Sequence, residues 1–357
     1  MKTTALIMAG GRGERFWPRS RRNLPKQFLS LTNDGKTMIQ LTVERILPLV
    51  APEDIYIATN KAYMPLVKDQ LPDIPTENIL CEPIGRNTAP CIGLGAMHIS
   101  HKYDDSVMLV LPSDHLIKDG DCFREVLRDA CEVAEQGDNL VTIGITPNYP
   151  ETGYGYIKFM KNEDKTGNGY RVDRFVEKPS SEVAKEYLAT GEYLWNSGMF
   201  IWKVSTVLDK FDKFLPDTYK GLVRIREVIG SSAEEAVLNE VFPAFESISV
   251  DYGIMEKAES IYTLPGDFGW DDVGSWLAVE RIRNKNEDGN AITGNVVTVN
   301  SKDCIIEAGD KLIAAVGLKD IVIVDTDDAT LVCDKGSTAD IKKILGELKQ
   351  TGKDSYL

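Results

Sequence analysis

Long apolar runs are missing from this 357-residue chain, and no stretch approaches the length needed to span a bilayer. The N-terminus lacks a signal-peptide pattern and goes straight into a strand pattern. Cysteine is scattered: Cys81, Cys91, Cys122, Cys131, Cys304 and Cys333 include no C-x-x-C pair. That spacing shows no disulfide framework and points to reduced thiols in a cytoplasm. Only three histidines occur, and none has zinc-ligand spacing. No Ser-His-Asp or Cys-His arrangement is visible, which suits a route without a covalent intermediate. Positive charge is in deficit: 41 Lys and Arg stand against 55 Asp and Glu, a formal net charge of -14. The imbalance argues against nucleic acid or an anionic membrane surface as partner. An acidic chain that binds a nucleotide must therefore concentrate its cations locally.

The stretch Leu6 to Leu29 does so. An apolar run, Ala5 to Ala9, reads as a buried strand and stops at Gly10, Gly11 and Gly13. Glycine lets the backbone turn sharply and approach a ligand, and successive N–H groups in such a turn form an anion nest. Arg12, Arg15 and Lys26 add positive charge; Arg presents a planar donor fork to phosphate and Lys a point charge. Strand, glycine turn and spaced cations together make a cradle for a polyphosphate. Two commoner phosphate loops are excluded by spelling. The P-loop pattern G-x-x-x-x-G-K-[ST] is absent, and the Rossmann pattern G-x-G-x-x-G breaks after Gly13.

Short apolar strands alternate with helices through the first half. Ile55 to Ala58, Val107 to Leu111 and Val141 to Ile143 read as strands; Ala89 to Ser100 and Phe123 to Glu135 read as helices. Thr37 and Gln40 spell a capping box for a helix toward Pro48. Such alternation implies a mostly parallel sheet covered on both faces, with ligands beyond the carboxyl ends of its strands. From Gly153 to Trp202 longer, paired strands are expected, with Ser180 capping a helix to Thr190. Helices follow between Val204 and Leu238, and Asp251 to Glu259 is a short helix candidate. The run Asn284 to Asn290 has the composition of a boundary. Beyond it Ile306, Leu312, Leu318 and Val324 recur at every sixth residue, the spacing of hexapeptide β-helix coils.

Four further motifs carry chemistry. In Glu82-Pro83-Ile84-Gly85-Arg86-Asn87-Thr88-Ala89-Pro90, Glu82 and Asn87 can read a base edge, and Asn87 or Thr88 can equally cap the next helix. Asp114, just past a buried strand in Leu111-Pro112-Ser113-Asp114-His115, suits a magnesium ligand, since Mg²⁺ takes one or two carboxylates plus substrate phosphates. A turn aspartate is the alternative. Phe175 to Pro179 offers Glu177 to sugar hydroxyls and Lys178 to a sugar phosphate, or a plain surface ion pair. Gly269 to Trp276 supplies Asp271 and Asp272 as a second carboxylate.

In this order, from Gly10 to Trp276, the motifs resemble those of sugar nucleotidyltransferases. F-W-P with K-Q-F-L is closest to the mannose-1-phosphate guanylyltransferases. The resemblance implies an α/β, Rossmann-like (GT-A-like), mostly parallel mixed sheet with helices on both faces, plus a small C-terminal left-handed β-helix domain. It implies GTP and mannose 1-phosphate as substrates and Mg²⁺ as cofactor. Arg15, Lys26, Asp114 and Asp272 become the catalytic set, with Asp114 and Asp272 on the metal; Asp271 is the other choice. Gly10, Gly11, Gly13, Glu82, Asn87 and Ser113 fall to the nucleotide, and Gly155, Glu177, Lys178 and Asn196 to the sugar phosphate. The alternatives are another hexose 1-phosphate or triphosphate on the same fold, or a non-catalytic nucleotide-sugar-binding subunit. Residues 1–285 are expected to form the catalytic domain and 286–357 an assembly domain, hence a homodimer in the cytoplasm.

Overall fold

The strand Thr3–Ala9 spells TTALIMA, and both of its faces are covered. Leu6 points into one apolar cluster with Tyr56, Ala58, Met108 and Val110. Ala5, Ile7, Ile55, Ile57 and Leu109, on the alternate face, are equally inaccessible. A period of two with both faces buried is what a sheet between helical layers requires. The structure, a computed structural model, describes residues 1–32, 34–161 and 165–357. Two compact units divide the chain.

The first unit gathers Met1–Gly10, Val43–Ser113 and Ile117–Trp270. Its sheet runs, edge to edge, Ile79–Glu82, Ile55–Asn60, Thr3–Ala9, Val107–Pro112, Tyr193–Lys203, Leu140–Ile145, Ile261–Gly266, Gly169–Val176 and Tyr156–Phe159. The first four strands pair in parallel, as do Leu140–Ile145 and Ile261–Gly266. Tyr193–Lys203 enters antiparallel to Val107–Pro112 and Leu140–Ile145, and its first residues also pair antiparallel with Tyr156–Phe159, so the sheet is mixed. The strands Ile79–Glu82 and Ile261–Gly266 had no counterpart in the sequence reading. The helices Thr88–Lys102, Val204–Phe214 and Pro216–Arg226 supply Ile92, Phe211 and Leu222 to the cluster around Leu6. Gly95 lets the helix approach the strand: a Cβ there would lie 2.7 Å from Leu6 Cδ2. The helix Gly120–Glu135, capped by Asp119, buries Phe123, Leu127, Ala130, Val133 and Ala134. Among the described residues no helix is long and apolar enough to cross a membrane.

The second unit gathers Gly11–Thr42, Asp114–Leu116 and Asp271–Leu357. Phe16, Trp17, Leu29, Leu31 and Met38 share one core with Trp276, Val279, Ile305, Val322 and Ile341. The capping box is formed: Thr37 N donates to Gln40 Oε1 at 2.9 Å, ahead of the helix Met38–Ile46. Glu307, 3% exposed, bridges Arg283 at 2.9 Å and Arg19 at 3.0 Å. Arg283 also donates to Leu31 O at 3.1 Å. A buried carboxylate needs such partners, and these tie the early segment to the late one.

Ala291–Thr293, Ile305–Glu307 and Ile321–Asp325 are parallel rungs, and Val296–Val299 pairs in parallel with Ile313–Val316. Successive coils stack at close to three six-residue steps, as a hexapeptide β-helix requires. Ile305 meets Val322 and Val296 meets Ile313, seventeen residues on in both cases, while Ala291 meets Ile305 after fourteen. Ile306 and Val324 are fully buried, but Leu312 is exposed. The boundary-like run is not a loose linker at its end. Asn290 is buried, donates to Ser301 O and accepts from Cys304 N, each at 2.8 Å.

Candidate active site

In the second unit the glycine turn is held from below. Gly13 has φ +61°, and a Cβ on it would lie 2.4 Å from Lys26 Cβ and 2.7 Å from Lys26 N. Only glycine fits both the conformation and the space. Phe16 is buried against Trp276, with ring centroids 5.3 Å apart, which anchors the turn while Arg15 stays exposed. Arg15 Nη1 approaches Gly274 O at 3.5 Å. Lys26 is 5% exposed, and its ammonium donates to Asp114 Oδ2 at 2.8 Å and to Asp272 O at 2.6 Å. A pocket of about 370 Å³ is lined by Arg12, Gly13, Arg15, Lys26, Asp114 and Asp272, together with Lys342 from the C-terminal helix.

Burial pushes the Asp114 carboxyl up, but Lys26, His115 and hydrogen bonds outweigh it and hold the group below the ordinary carboxylate range. It is ionised at neutral pH. Asp272 accepts from Gly274 N at 3.1 Å and lines the same pocket. Asp271 is committed elsewhere: it accepts from Arg281 Nε at 3.0 Å, Arg281 Nη2 at 3.1 Å and Val273 N at 2.8 Å. Burial raises its pKa in spite of Arg281. Two hard oxygen donors beside one pocket fit a hard divalent cation, and the Lys26 ammonium already stands as a cation on Asp114. Among the described residues no group of three or more His, Cys, Asp or Glu forms a metal cage. A cation held here would draw its remaining ligands from phosphate and water, as magnesium does.

The base-loop residues lie in the first unit. Glu82 ends the strand Ile79–Glu82 and is 5% exposed, and its Oε1 finds no hydrogen-bond partner. Burial raises its pKa to about 7, opposed by a hydrogen bond with the Cys91 thiol. Gly10 lies beside it: a Cβ there would be 3.5 Å from Glu82 Oε2. Asn87 has φ 67°, and its Oδ1 accepts from Thr88 N at 2.8 Å, capping the helix. Of the two readings of Asn87, its side-chain oxygen takes the cap. Thr88 Oγ1 accepts from Val250 N at 2.8 Å. Ser113 is buried, and its N–H donates to Met8 O at 3.2 Å.

Gly155, Glu177, Lys178 and Asn196 also assemble in the first unit. A Cβ on Gly155 would fall 2.8 Å from Glu177 Oε2 and 3.6 Å from Asn196 Cβ. Asn196 N donates to Gly155 O at 2.8 Å. Lys178, at φ 38°, pairs with Glu177 at 2.7 Å. A positive φ outside glycine is uncommon and marks a constrained strand exit ahead of Pro179. Asn196 does not present a free amide: Nδ2 donates to Asp251 Oδ1 at 2.8 Å, and Oδ1 accepts from Gly198 N at 3.2 Å. Asp251 is the residue that sequence reasoning missed. Burial raises its pKa, Asn196 opposes, and Glu177 adds to the rise. In sequence it looks like an ordinary first-turn acid after the cap Ser249, so it gave no separate signal.

The chain matches the nucleotidyl transferase family model over residues 4–289 and the MannoseP isomerase/GMP-like beta-helix domain over 294–348. It is 41% identical over 360 residues to a putative mannose-1-phosphate guanylyltransferase of Vibrio cholerae, covering 98% of this chain and 75% of that one. It is 41% identical over 355 residues to the mannose-1-phosphate guanylyltransferase of Klebsiella pneumoniae, with the same coverage. A crystal structure described as mannose-1-phosphate geranyltransferase from Thermus thermophilus is similar at TM-score 0.88 and 37% identity, covering 98% of this chain and all of that one.

Proposed function

The chain belongs to the nucleotidyl transferase family, and from that premise we propose that it converts GTP and mannose 1-phosphate to GDP-mannose and pyrophosphate. A phosphate oxygen of the sugar phosphate forms a bond to the α-phosphorus. The bond from that phosphorus to the β-bridging oxygen breaks, and its electron pair leaves with pyrophosphate. The nucleophile is already an anion and needs no general base, so the barrier is mostly anionic repulsion and misalignment. Arg15 and the Gly10–Gly13 turn receive the departing pyrophosphate. Lys26 orients the Asp114 carboxylate and pins the Asp272 backbone through its carbonyl. Enzymes of this family generally use a divalent cation; Asp114 and Asp272 would hold Mg²⁺ here, and when bound it would offset charge on the phosphates.

Glu82 takes the guanine N–H edge through its carboxylate. Gly155, Glu177, Asn196 and Asp251 take the sugar hydroxyls, with Asn196 acting largely by orienting Asp251, and Lys178 takes the sugar phosphate. The observation that carries this reading is the Lys26 ammonium holding the Asp114 carboxylate and the Asp272 backbone carbonyl in the pocket that Arg15 and Asp272 also line. We keep 1–285 as the catalytic part and 286–357 as the assembly part of a homodimer. Exposed Val297, Val299, Val316 and Val332 on the C-terminal strands support that assembly. Six unpaired thiols suit a reducing cytoplasm.

Pyrophosphate release on mixing protein, Mg²⁺, GTP and mannose 1-phosphate tests the proposal. The assay is repeated over four nucleoside triphosphates and a panel of hexose 1-phosphates. Release only with another triphosphate or sugar, or none at all, overturns it.

A further inference from the structure

The helix Ile341–Gln350 buries Ile341 and lays Ile344, Leu345 and Leu348 against the core of the second unit. Lys342, the next residue after that anchor, is exposed and lines the pocket of Arg12, Arg15, Lys26, Asp114 and Asp272. We infer that Lys342 binds the terminal phosphates of the nucleotide, so that the C-terminal helix completes the pyrophosphate site. The inference rests on the reading of that pocket as the triphosphate site.

Two observations support it. The first concerns helix electrostatics. Two adjacent lysines occupy the first turn, which has no acidic residue, and cations are disfavoured at that positive end. Lys343 is compensated by Asp340 at 2.9 Å. Lys342 has no ion-pair partner among the described residues. A local rule broken without local compensation points to a use elsewhere, and the pocket is where this side chain lies.

The second is the pocket's own charge. Lys26 is engaged by Asp114, and Arg12 stands 4.0 Å from Glu14. Among the described residues Arg15 reaches a backbone carbonyl, Gly274 O, and no carboxylate. A leaving pyrophosphate carries more charge than Arg15 alone can offset, and Lys342 is the further cation lining the pocket without a carboxylate partner. Because it acts as a point charge, it would grip the terminal phosphates without fixing their orientation.

The test uses the full chain in the reverse direction, forming GTP from GDP-mannose and pyrophosphate. Wild type, Lys342→Ala, Lys342→Arg and Lys343→Ala are compared. Loss of one charge-assisted contact should raise the KM for pyrophosphate about tenfold in Lys342→Ala. The KM for GDP-mannose should stay within about twofold, since its contacts are elsewhere. Lys342→Arg should recover most of the loss, and Lys343→Ala should match wild type. A pyrophosphate KM in Lys342→Ala equal to that of Lys343→Ala overturns the inference, as does an equal rise for both substrates. A wild type that forms no GTP overturns the triphosphate reading itself, and the inference with it.

Discussion

Replacing Glu82 by Gln should make the protein more stable at alkaline pH and worse at holding guanine. The carboxyl is 5% exposed with Oε1 unpartnered, and burial has raised its pKa from the ordinary 4.5 to about 7. Between those values the folded chain holds a proton that the unfolded chain has released. Stability from this group is therefore lost as pH rises through the window, and the loss is complete above pH 7. At about 1.4 kcal/mol for each pH unit, the deficit reaches roughly 3 kcal/mol by pH 8. Most of it is still absent at pH 5, so the two conditions should differ by roughly 2.5 kcal/mol. Glu82→Gln has no proton to lose and escapes this penalty. The gap between variant and wild type, read from urea unfolding by tryptophan fluorescence, should widen by that amount from pH 5 to pH 8. In the same variant the KM for GTP should rise about tenfold or more, because an amide cannot accept two N–H groups as a carboxylate does. A stability gap identical at both pH values would refute the reasoning. It would mean that the buried carboxyl titrates like an exposed one.

Gly155→Ala should leave the unfolding midpoint nearly unchanged, because the atom it crowds is the end of a flexible side chain, Glu177 Oε2 at 2.8 Å. Displacing that carboxylate should still raise the KM for mannose 1-phosphate about tenfold or more, and an unchanged KM would separate Glu177 from the sugar. Asp272→Asn should abolish divalent-cation-dependent turnover while unfolding stays near wild type. Asp271→Asn should instead keep the cation dependence and lose about 1–2 kcal/mol from its half-exposed pair with Arg281; the reverse pattern, read by Mg²⁺ titration and urea unfolding, would exchange the two assignments. Val299→Lys should shift the molecular mass in light scattering from dimer to monomer, and a persistent dimer would remove these C-terminal strands from the interface.

The residues that were legible share a property: their signal is local. Thr37 and Gln40 announce their cap within four residues, and the Thr3–Ala9 strand with its glycine turn reads off one short run. The burial of Ile7, Ile57 and Leu109 follows from unbroken apolar spelling. What escaped depends on distant partners. Asp251 becomes notable only because Asn196 reaches it at 2.8 Å, fifty-five positions away. Lys342 sits on an ordinary amphipathic helix, and only the fold brings it to Arg15 and Lys26. The six-residue spacing announced the parallel coils correctly but not their exact length. Coil length is trimmed by the turns between rungs, so Ile305 meets Val322 after seventeen residues and Ala291 meets Ile305 after fourteen, which an apolar count does not see. Asn87 was ambiguous because one side chain type serves both as cap and as base reader, and the geometry gives its oxygen to the cap.

The shared core of Phe16, Trp17 and Leu31 with Trp276, Ile305 and Val322 has a consequence for synthesis. Residues 11–42 leave the ribosome early, yet their apolar side chains have nothing to close on until the last quarter of the chain has emerged. Translation therefore builds the strand layers around Leu6 well before it can seat the arginines and Lys26. A ribosome stalled before residue 271 would carry a nascent chain whose base loop is folded but whose phosphate grip is not. Chaperone capture during expression should accordingly concentrate on the Phe16–Leu31 stretch, the apolar segment with the longest wait for its partner.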